Sequence, residues 1–487
     1  MLENLTVKQA WQMLESGETT AVKLMEASKK RIEETDEKIK AFVTTNYEEA
    51  LEQAKNIDEK RAKGEKLSRL SGIPCALKDL FCTKNLRTTA SSKMLEHFVP
   101  PYDASIIKKL RKKGSIFMGK LNLDAWAHGT STENSDFFNT HNPWDLERTP
   151  GGSSGGSAAS VAASQVLWAT GTDTGGSIRQ PAAMCGISGW KPTYGSVSRS
   201  GIISMSSSLD TVGAFAKTVE DLSIIATEMV GKDPLDATTL DIQYQDFYEN
   251  LATDMKGVRI GVPKEYFQEG LSPEIEKAIK DALKIYENMG AKIVDISLPY
   301  TKYGIAIYYI ICPSELSANL ARYDGIRYGY KPENPKDHIE MFTGSRSVGF
   351  GAEAKRRIMI GTYALSSGYY DAYYRKAQKV RTLVVNEFKE AFDNVDVIIT
   401  PTTPTTAFKL GEKSSDPLSL YLEDVYTVSA NMAGICGLSI PCGQDKKGLP
   451  IGMQILGPQL GEQKIFNVGH AYQTHTDWHT KRPQIEK

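Results

Sequence analysis

Apolar residues run along this chain in short blocks, and most blocks are closed by glycine or opened by a helix-capping side chain. The first 65 residues read as helical. Thr6 caps a first helix that ends near Gly17. Thr20 caps a second, with Val22, Leu24, Met25 and Ile32 on one side. A third runs from about Glu48 to Gly64, with Leu51, Ala54 and Ile57 as its stripe. Apolar residues three and four apart share a helix face, and a threonine just before them is a start signal. The pattern predicts an N-terminal helical layer, residues 1–65, packed on a main domain of residues 66–487.

From residue 70 the period changes. Residues 73–77, 115–119, 165–171, 258–262, 292–296 and 395–400 are short apolar runs that read as buried strands. Helical patterns lie between them. One spans 103–113 and stops at Gly114, and one spans 157–164 and is small and Ala-rich. A third leads from a possible capping box, Thr218-Val219-Glu220-Asp221, to Gly231. Another starts at Ser272-Pro273 and closes at Gly290. Residues 350–392 read as long helical structure interrupted at Gly361 and Gly368. Residues 231–256 and 331–349 read as loops. Strand–helix alternation of this kind predicts an α/β fold, a sheet with helices on both faces.

Composition narrows the function classes. The 487 residues are 40% hydrophobic and 24% charged, a globular balance. Lys plus Arg number 58 against 59 Asp plus Glu, a net charge of −1. Gripping nucleic acid unaided normally takes a basic excess, so this balance argues against it. Cysteines 75, 82, 185, 312, 436 and 442 are scattered with no C-x-x-C pair, which reads as free thiols in a reducing compartment. The seven histidines form no H-x-x-H pair, so no metal site is signalled. Residues 1–4 begin neither a basic nor an apolar leader, and the apolar stretch 305–312 is far too short to span a membrane. The expectation is a cytoplasmic chain with no membrane contact.

Three features carry chemistry. Lys78 ends the apolar run Ile73-Pro74-Cys75-Ala76-Leu77. Gly151-Gly152-Ser153-Ser154-Gly155-Gly156-Ser157 is a Gly/Ser cluster, and Thr172-Asp173-Thr174-Gly175-Gly176-Ser177 is a second. Together they supply a base, a hydroxyl relay, a nucleophile and Gly-rich backbone donors, the parts of a serine acyl-transfer site without histidine. Other readings are weaker. A flexible linker does not fit the Ala-rich helix that follows. A Walker-type loop lacks its lysine. Gly151 to Gly155 matches G-x-S-x-G, but that elbow needs a preceding strand, and 142–150 reads as a loop.

In this order and spacing the features resemble the amidase signature family. The likeness runs through Gly72-Ile73-Pro74, Lys78-Asp79, residues 150–157 and 173–181, Gly189-Trp190-Lys191-Pro192-Thr193-Tyr194-Gly195, Ser206-Ser207-Ser208-Leu209-Asp210 and 218–221, a signature core of about 70–230. It implies a single α/β domain around a large mixed sheet. It also implies that Ser177 is the nucleophile, that Ser153 is a bridging serine held by a cis peptide bond, and that Lys78 is the base. The N–H groups of Thr174, Gly175, Gly176 and Ser177 would form the oxyanion hole. Ser154 would support the network, while Asp173 and Arg179 would brace the loop rather than touch substrate. A lysine acts as a base only when neutral, so its pKa must fall; burial without a partner carboxylate is the expected cause.

Within the family, the second half is similar to members that hydrolyse glutamine for a tRNA-dependent amidotransferase. Tyr308-Tyr309-Ile310-Ile311, Asn319-Leu320-Ala321-Arg322-Tyr323-Asp324-Gly325, Lys355-Arg356-Arg357-Ile358, Gly368-Tyr369-Tyr370-Asp371-Ala372-Tyr373-Tyr374 and residues 421–430 carry that likeness. Taken alone, an Arg or Asp among them reads as a surface ion pair. The resemblance implies instead that Arg357 clamps the α-carboxylate of glutamine, Asp424 takes its α-ammonium and Tyr308 positions the side-chain amide. It further implies a heterotrimer with B and C subunits. The B subunit would use ATP and Mg²⁺ and meet the tRNA, converting Glu-tRNA(Gln) to Gln-tRNA(Gln), or Asp-tRNA(Asn) to Asn-tRNA(Asn); this chain itself would bind no cofactor. The alternatives are a stand-alone amidase for small amides and a non-enzymatic scaffold subunit. One departure stands out. Where the family reads D-E-F-A-M-G, this chain has Asp124-Ala125-Trp126-Ala127-His128-Gly129. His128 is taken as a pocket-lining residue rather than a triad histidine.

Overall fold

Eleven strands join into one sheet in a computed structural model that describes residues 2–485. In chain order they are β1 Phe42–Thr45, β2 Pro74–Lys78, β3 Ile116–Leu121, β4 Trp168–Thr172, β5 Ser188–Lys191, β6 Val212–Ala216, β7 Arg259–Pro263, β8 Lys292–Ile296, β9 Val397–Pro401, β10 Cys436–Gln444 and β11 Pro450–Gly457. Their spatial order is β1-β3-β2-β4-β6-β5-β10-β11-β9-β7-β8. The sheet is mixed. β3, β2 and β4 run parallel at one end and β9, β7 and β8 at the other, joined through antiparallel strands in the middle. Parallel strands need crossover connections that cover both faces. Accordingly β2, β3 and β4 are buried at every position, whereas the edge strand β8 is half-exposed.

The helices start where the side chains say. Thr6 and Gln9 form a complete capping box on Val7–Ser16, which ends on Gly17 at φ 76°. Thr20 caps Ala21–Ile39, which buries Leu24, Met25 and Ile32. Thr218 accepts from the Asp221 N–H at the head of Val219–Met229, but the Asp221 carboxylate turns to the Lys8 N–H instead of closing a box. It ties the N-terminal helix to the body.

Four expectations change. Residues 1–65 are not all helical: β1 lies between two of the helices and pairs antiparallel with β3, forming the sheet edge. Its four residues are too short to register against helical neighbours. Gly361 does not interrupt a helix. It lies inside Ala352–Leu365, where a Cβ would sit 1.9 Å from the Pro313 carbonyl oxygen of the crossing helix Gly304–Leu320. Residues 338–349, expected as loop, form the helix His338–Gly349 with Asp337 as its cap. Strands β5, β6, β10 and β11 add to those expected. Each carries glycine, which weakens the apolar signal of a strand.

Candidate active site

β2 and β4 are parallel neighbours, so Lys78 and Thr172 end side by side at their carboxyl edge. In α/β sheets that edge is where ligands bind. Lys78 is fully buried. Its Nζ donates to Ser153 Oγ at 2.9 Å and to Thr172 Oγ1 at 2.8 Å, and its backbone N–H donates to Thr170 Oγ1 at 3.0 Å. Burial drives its pKa down to about 7. The Nζ partners are hydroxyls, yet three carboxylates act on the amine from farther off. Asp124, Asp173 and Asp210 all pull the value up, and desolvation outweighs the three together.

Ser153 follows a cis peptide bond from Gly152. The turn needs glycine. Gly151 has φ 81°, and a Cβ there would lie 2.5 Å from Gln180 Oε1. A Cβ on Gly152 would lie 2.2 Å from Asp124 Oδ2. Gln180 Oε1 accepts the Gly152 N–H at 2.8 Å. Ser154 Oγ lies 3.2 Å from the Thr172 carbonyl oxygen and 3.4 Å from its N, so it pins one Gly/Ser loop to the end of β4. The buried Asp124 carboxyl, raised by desolvation to about 7, accepts the N–H groups of Thr132 and Asn134.

The second loop is organised by Asp173. It forms a fully buried ion pair with Arg179 at 3.0 Å and accepts the N–H groups of Gly176 and Ile178. Burial alone would raise this carboxyl; the guanidinium and its hydrogen bonds reverse that and hold it well below the usual carboxylate range. Arg179 also donates to Gln454, Asn431 and the Thr427 carbonyl. This pair braces the loop. One expected oxyanion donor is thereby spent: the Gly176 N–H points at Asp173 Oδ1, 2.9 Å away. The N–H groups of Thr174, Gly175 and Ser177 make no hydrogen bond among the described residues and remain available. Ser177 is 9% exposed, and its hydroxyl is not bonded to Ser153 or to any other described residue. The structure therefore joins Lys78 to Ser153 and leaves Ser177 open to an incoming group.

The second half of the chain meets this loop. Tyr308 is buried with its ring against Gly175, where a Cβ would lie 2.6 Å from Cζ and 2.7 Å from the hydroxyl. Thr427 Oγ1 lies 2.6 Å from the Gly175 carbonyl oxygen and 3.1 Å from that of Asp424. Asp424 accepts from Thr130 Oγ1 at 2.8 Å and Tyr309 OH at 3.2 Å. Burial raises its carboxyl to about 7, against the pull of Thr130 and Arg357. Arg357 is 2% exposed, donates through Nε to Glu353 at 2.7 Å and faces the rings of Tyr309 and Tyr421. Beside the loop, a cavity of about 240 Å³ is lined by Ala127, Thr172, Thr174 and Asp210 among others.

Sequence reasoning missed several members. Thr172 opens the second Gly/Ser cluster and carries a readable hydroxyl. Asp210 closes a quoted motif and accepts from Thr174 Oγ1 at 2.8 Å. Asn431, Thr130 and Gln454 gave no local signal, because each reaches its partner from a distant element; Thr427 lies in the quoted stretch 421–430, and Glu353 stands one helical turn before Arg357.

The mixed α/β sheet thus carries a buried lysine, a cis-linked serine and a Gly-Gly-Ser loop at one edge, and the chain belongs to the amidase family, which matches residues 23–466. The chain is 53% identical to the A subunit of glutamyl-tRNA(Gln) amidotransferase from Carboxydothermus hydrogenoformans, over 99% of each chain. It is 52% identical to the protein of the same name from Heliobacterium modesticaldum, over 99% of this chain and 98% of that one. Among solved structures it resembles the A subunit of glutamyl-tRNA(Gln) amidotransferase from Thermotoga maritima, with a TM-score of 0.84 and 38% identity over 100% of this chain and 99% of that one. The native peptide amidase of Stenotrophomonas maltophilia shares the fold at 28% identity, a TM-score of 0.84 and 99% coverage of both chains. No helix among the described residues is long and apolar enough to cross a membrane.

Proposed function

We propose that this chain is the glutamine-hydrolysing subunit of a tRNA-dependent amidotransferase. The observation that carries the reading is that buried Arg357 and buried Asp424 meet at Tyr309, whose ring faces the Arg357 guanidinium and whose hydroxyl donates to Asp424, with Asp424 joined through Thr427 to Gly175 of the loop that bears Ser177. An amino acid presents one carboxylate and one ammonium, so a buried Arg with a buried Asp is the pair that would recognise it. The names of the full-length relatives point the same way.

In this reading Ser177 Oγ attacks the side-chain amide carbon of glutamine. Its proton passes through Ser153 to neutral Lys78. The N–H groups of Thr174, Gly175 and Ser177 hold the developing oxyanion, where one such donor is worth about 3 kcal/mol. Lys78 returns the proton through Ser153 to the leaving nitrogen, which departs as ammonia. Water then cleaves the γ-glutamyl ester and releases glutamate. Tyr308, against Gly175, positions the amide. Ammonia passes to the partner B subunit, which uses ATP and Mg²⁺ to activate Glu-tRNA(Gln) or Asp-tRNA(Asn), and the C subunit makes up the heterotrimer. The net charge of −1 suits a chain that leaves most tRNA contact to its partner.

The test is ammonia release from glutamine by this chain, alone and with the B and C subunits, with Ser177→Ala as the blank. Release that Ser177→Ala abolishes, and that rises with the partners, ATP and Glu-tRNA, supports the reading. Turnover of simple amides with glutamine ignored makes the chain a stand-alone amidase. Release that survives Ser177→Ala removes the nucleophile assignment.

A further inference from the structure

His128 is fully buried, and neither ring nitrogen has a hydrogen-bond partner among the described residues. Buried polar atoms in native proteins are nearly always paired, so a fully orphaned imidazole asks for a ligand. The ring does not sit there by loose packing. Trp126 and Ala127, just before it, hold left-handed backbone at φ 61° and 64°, and the Trp126 ring packs on Tyr323 and Phe350. After it, Asn134 donates to the His128 carbonyl oxygen at 2.9 Å, and the Asp124 carboxylate fastens the N–H groups of Thr132 and Asn134.

The same loop leads to the charged residues of the pocket. Thr130 donates to the Asp424 carboxylate, which also accepts from Tyr309, and the Tyr309 ring faces the Arg357 guanidinium, the charge acting on the His128 ring. Burial comes first and that guanidinium second in keeping the imidazole neutral. A neutral ring carries one N–H donor and one acceptor. Next to a guanidinium, the group that satisfies both neighbours is an anion with two oxygens, one for each donor.

We propose that His128 is a substrate-binding residue whose ring N–H donates to the carboxylate held by Arg357, so that the two together select amides bearing an α-carboxylate. This rests on the amino-acid reading of the pocket given above. Without that carboxylate, the orphaned ring is a burden on the folded chain.

The experiment uses the full chain and two amides: glutamine, and 4-aminobutanamide, which is glutamine without its α-carboxylate. Glutamine binding is measured by calorimetry on Ser177→Ala and on Ser177→Ala/His128→Met; kcat/KM for both amides and the thermal midpoint are measured on the wild type and on His128→Met. The expected result is glutamine binding weakened about 10-fold or more, 4-aminobutanamide turnover unchanged, and a higher midpoint without ligand. His128→Gln, which keeps an N–H donor, is expected to recover much of the lost affinity. Equal losses on both amides with a lowered midpoint mean a structural ring and overturn the inference, as does unchanged glutamine binding. If Ser177→Ala itself binds no glutamine, the function reading falls and this inference with it; if it does bind and only the His128 comparison fails, the function reading stands.

Discussion

Lys78 Nζ lies 2.9 Å from Ser153 Oγ, both side chains are fully buried, and the pull of three carboxylates on the amine does not offset that burial. Its pKa of about 7 sets the first prediction. Only the neutral amine takes a proton, so kcat/KM for glutamine should rise with pH through an inflection near 7. A profile flat from pH 6 to 9, or an inflection near the ordinary lysine value of about 10.4, would remove Lys78 as the base.

The same shift has a stability sign. The folded pKa lies below the unfolded value, so between about 7 and about 10.4 the unfolded chain binds the extra proton. Stability contributed by Lys78 is therefore full above that window and is lost as pH falls through it. Lys78→Met should reduce the pH slope of unfolding free energy between pH 7 and 10, measured by denaturant titration. An unchanged slope would contradict the depressed pKa.

Arg179 is fully buried and ties Asp173, Gln454, Asn431 and the Thr427 carbonyl together. Removing one partner of a buried ion pair strands the other charge. Arg179→Met should cost about 3–5 kcal/mol of stability. Urea unfolding checks it. A loss under about 1 kcal/mol would place the pair with surface bridges and end its role as a brace.

Arg357→Ala should separate glutamine from simple amides. A charged hydrogen bond contributes about 1.5–3 kcal/mol, so KM for glutamine should rise about 10- to 100-fold. Turnover of an amide without a carboxylate should change little. Equal losses on both substrates would mean that Arg357 holds the fold rather than the ligand.

Gly361→Ala tests a helix crossing. In an exposed helix the change stabilises by up to about 1 kcal/mol. Here the new Cβ meets the Pro313 carbonyl oxygen at 1.9 Å, and backbone cannot yield as a side chain does. Overpacking should destabilise by about 1–3 kcal/mol. A gain in thermal midpoint would show that the two helices separate freely.

Much of the site was legible because it lies in continuous motifs. Lys78 closes a strand, Ser153 sits in a glycine turn, and Ser177 ends a Gly-Gly loop; in each case the neighbours along the chain supply the backbone the residue needs. β2 was readable from the apolar run 73–77. β1 is short and pairs with the distant β3, and β5 lies between β6 and the distant β10; β10 and β11 follow one another and pair together, but their glycines and prolines break the apolar run.

By itself, then, the sequence determined the amidase family, through motifs continuous along the chain, and the α/β alternation; Arg357 and Asp424 came as candidates from the family resemblance alone. Only the tertiary structure decided which donors are free and which charges meet. Thr427 reaches Gly175 across 252 residues, and Thr130 reaches Asp424 across 294. The Gly176 N–H is consumed by a carboxylate three residues away that Arg179 holds in place. Such pairings cost loop-closure and side-chain entropy, which the folded core offsets. No local pattern of residues reports them, because hydrogen-bond partners and desolvation are properties of the packed site.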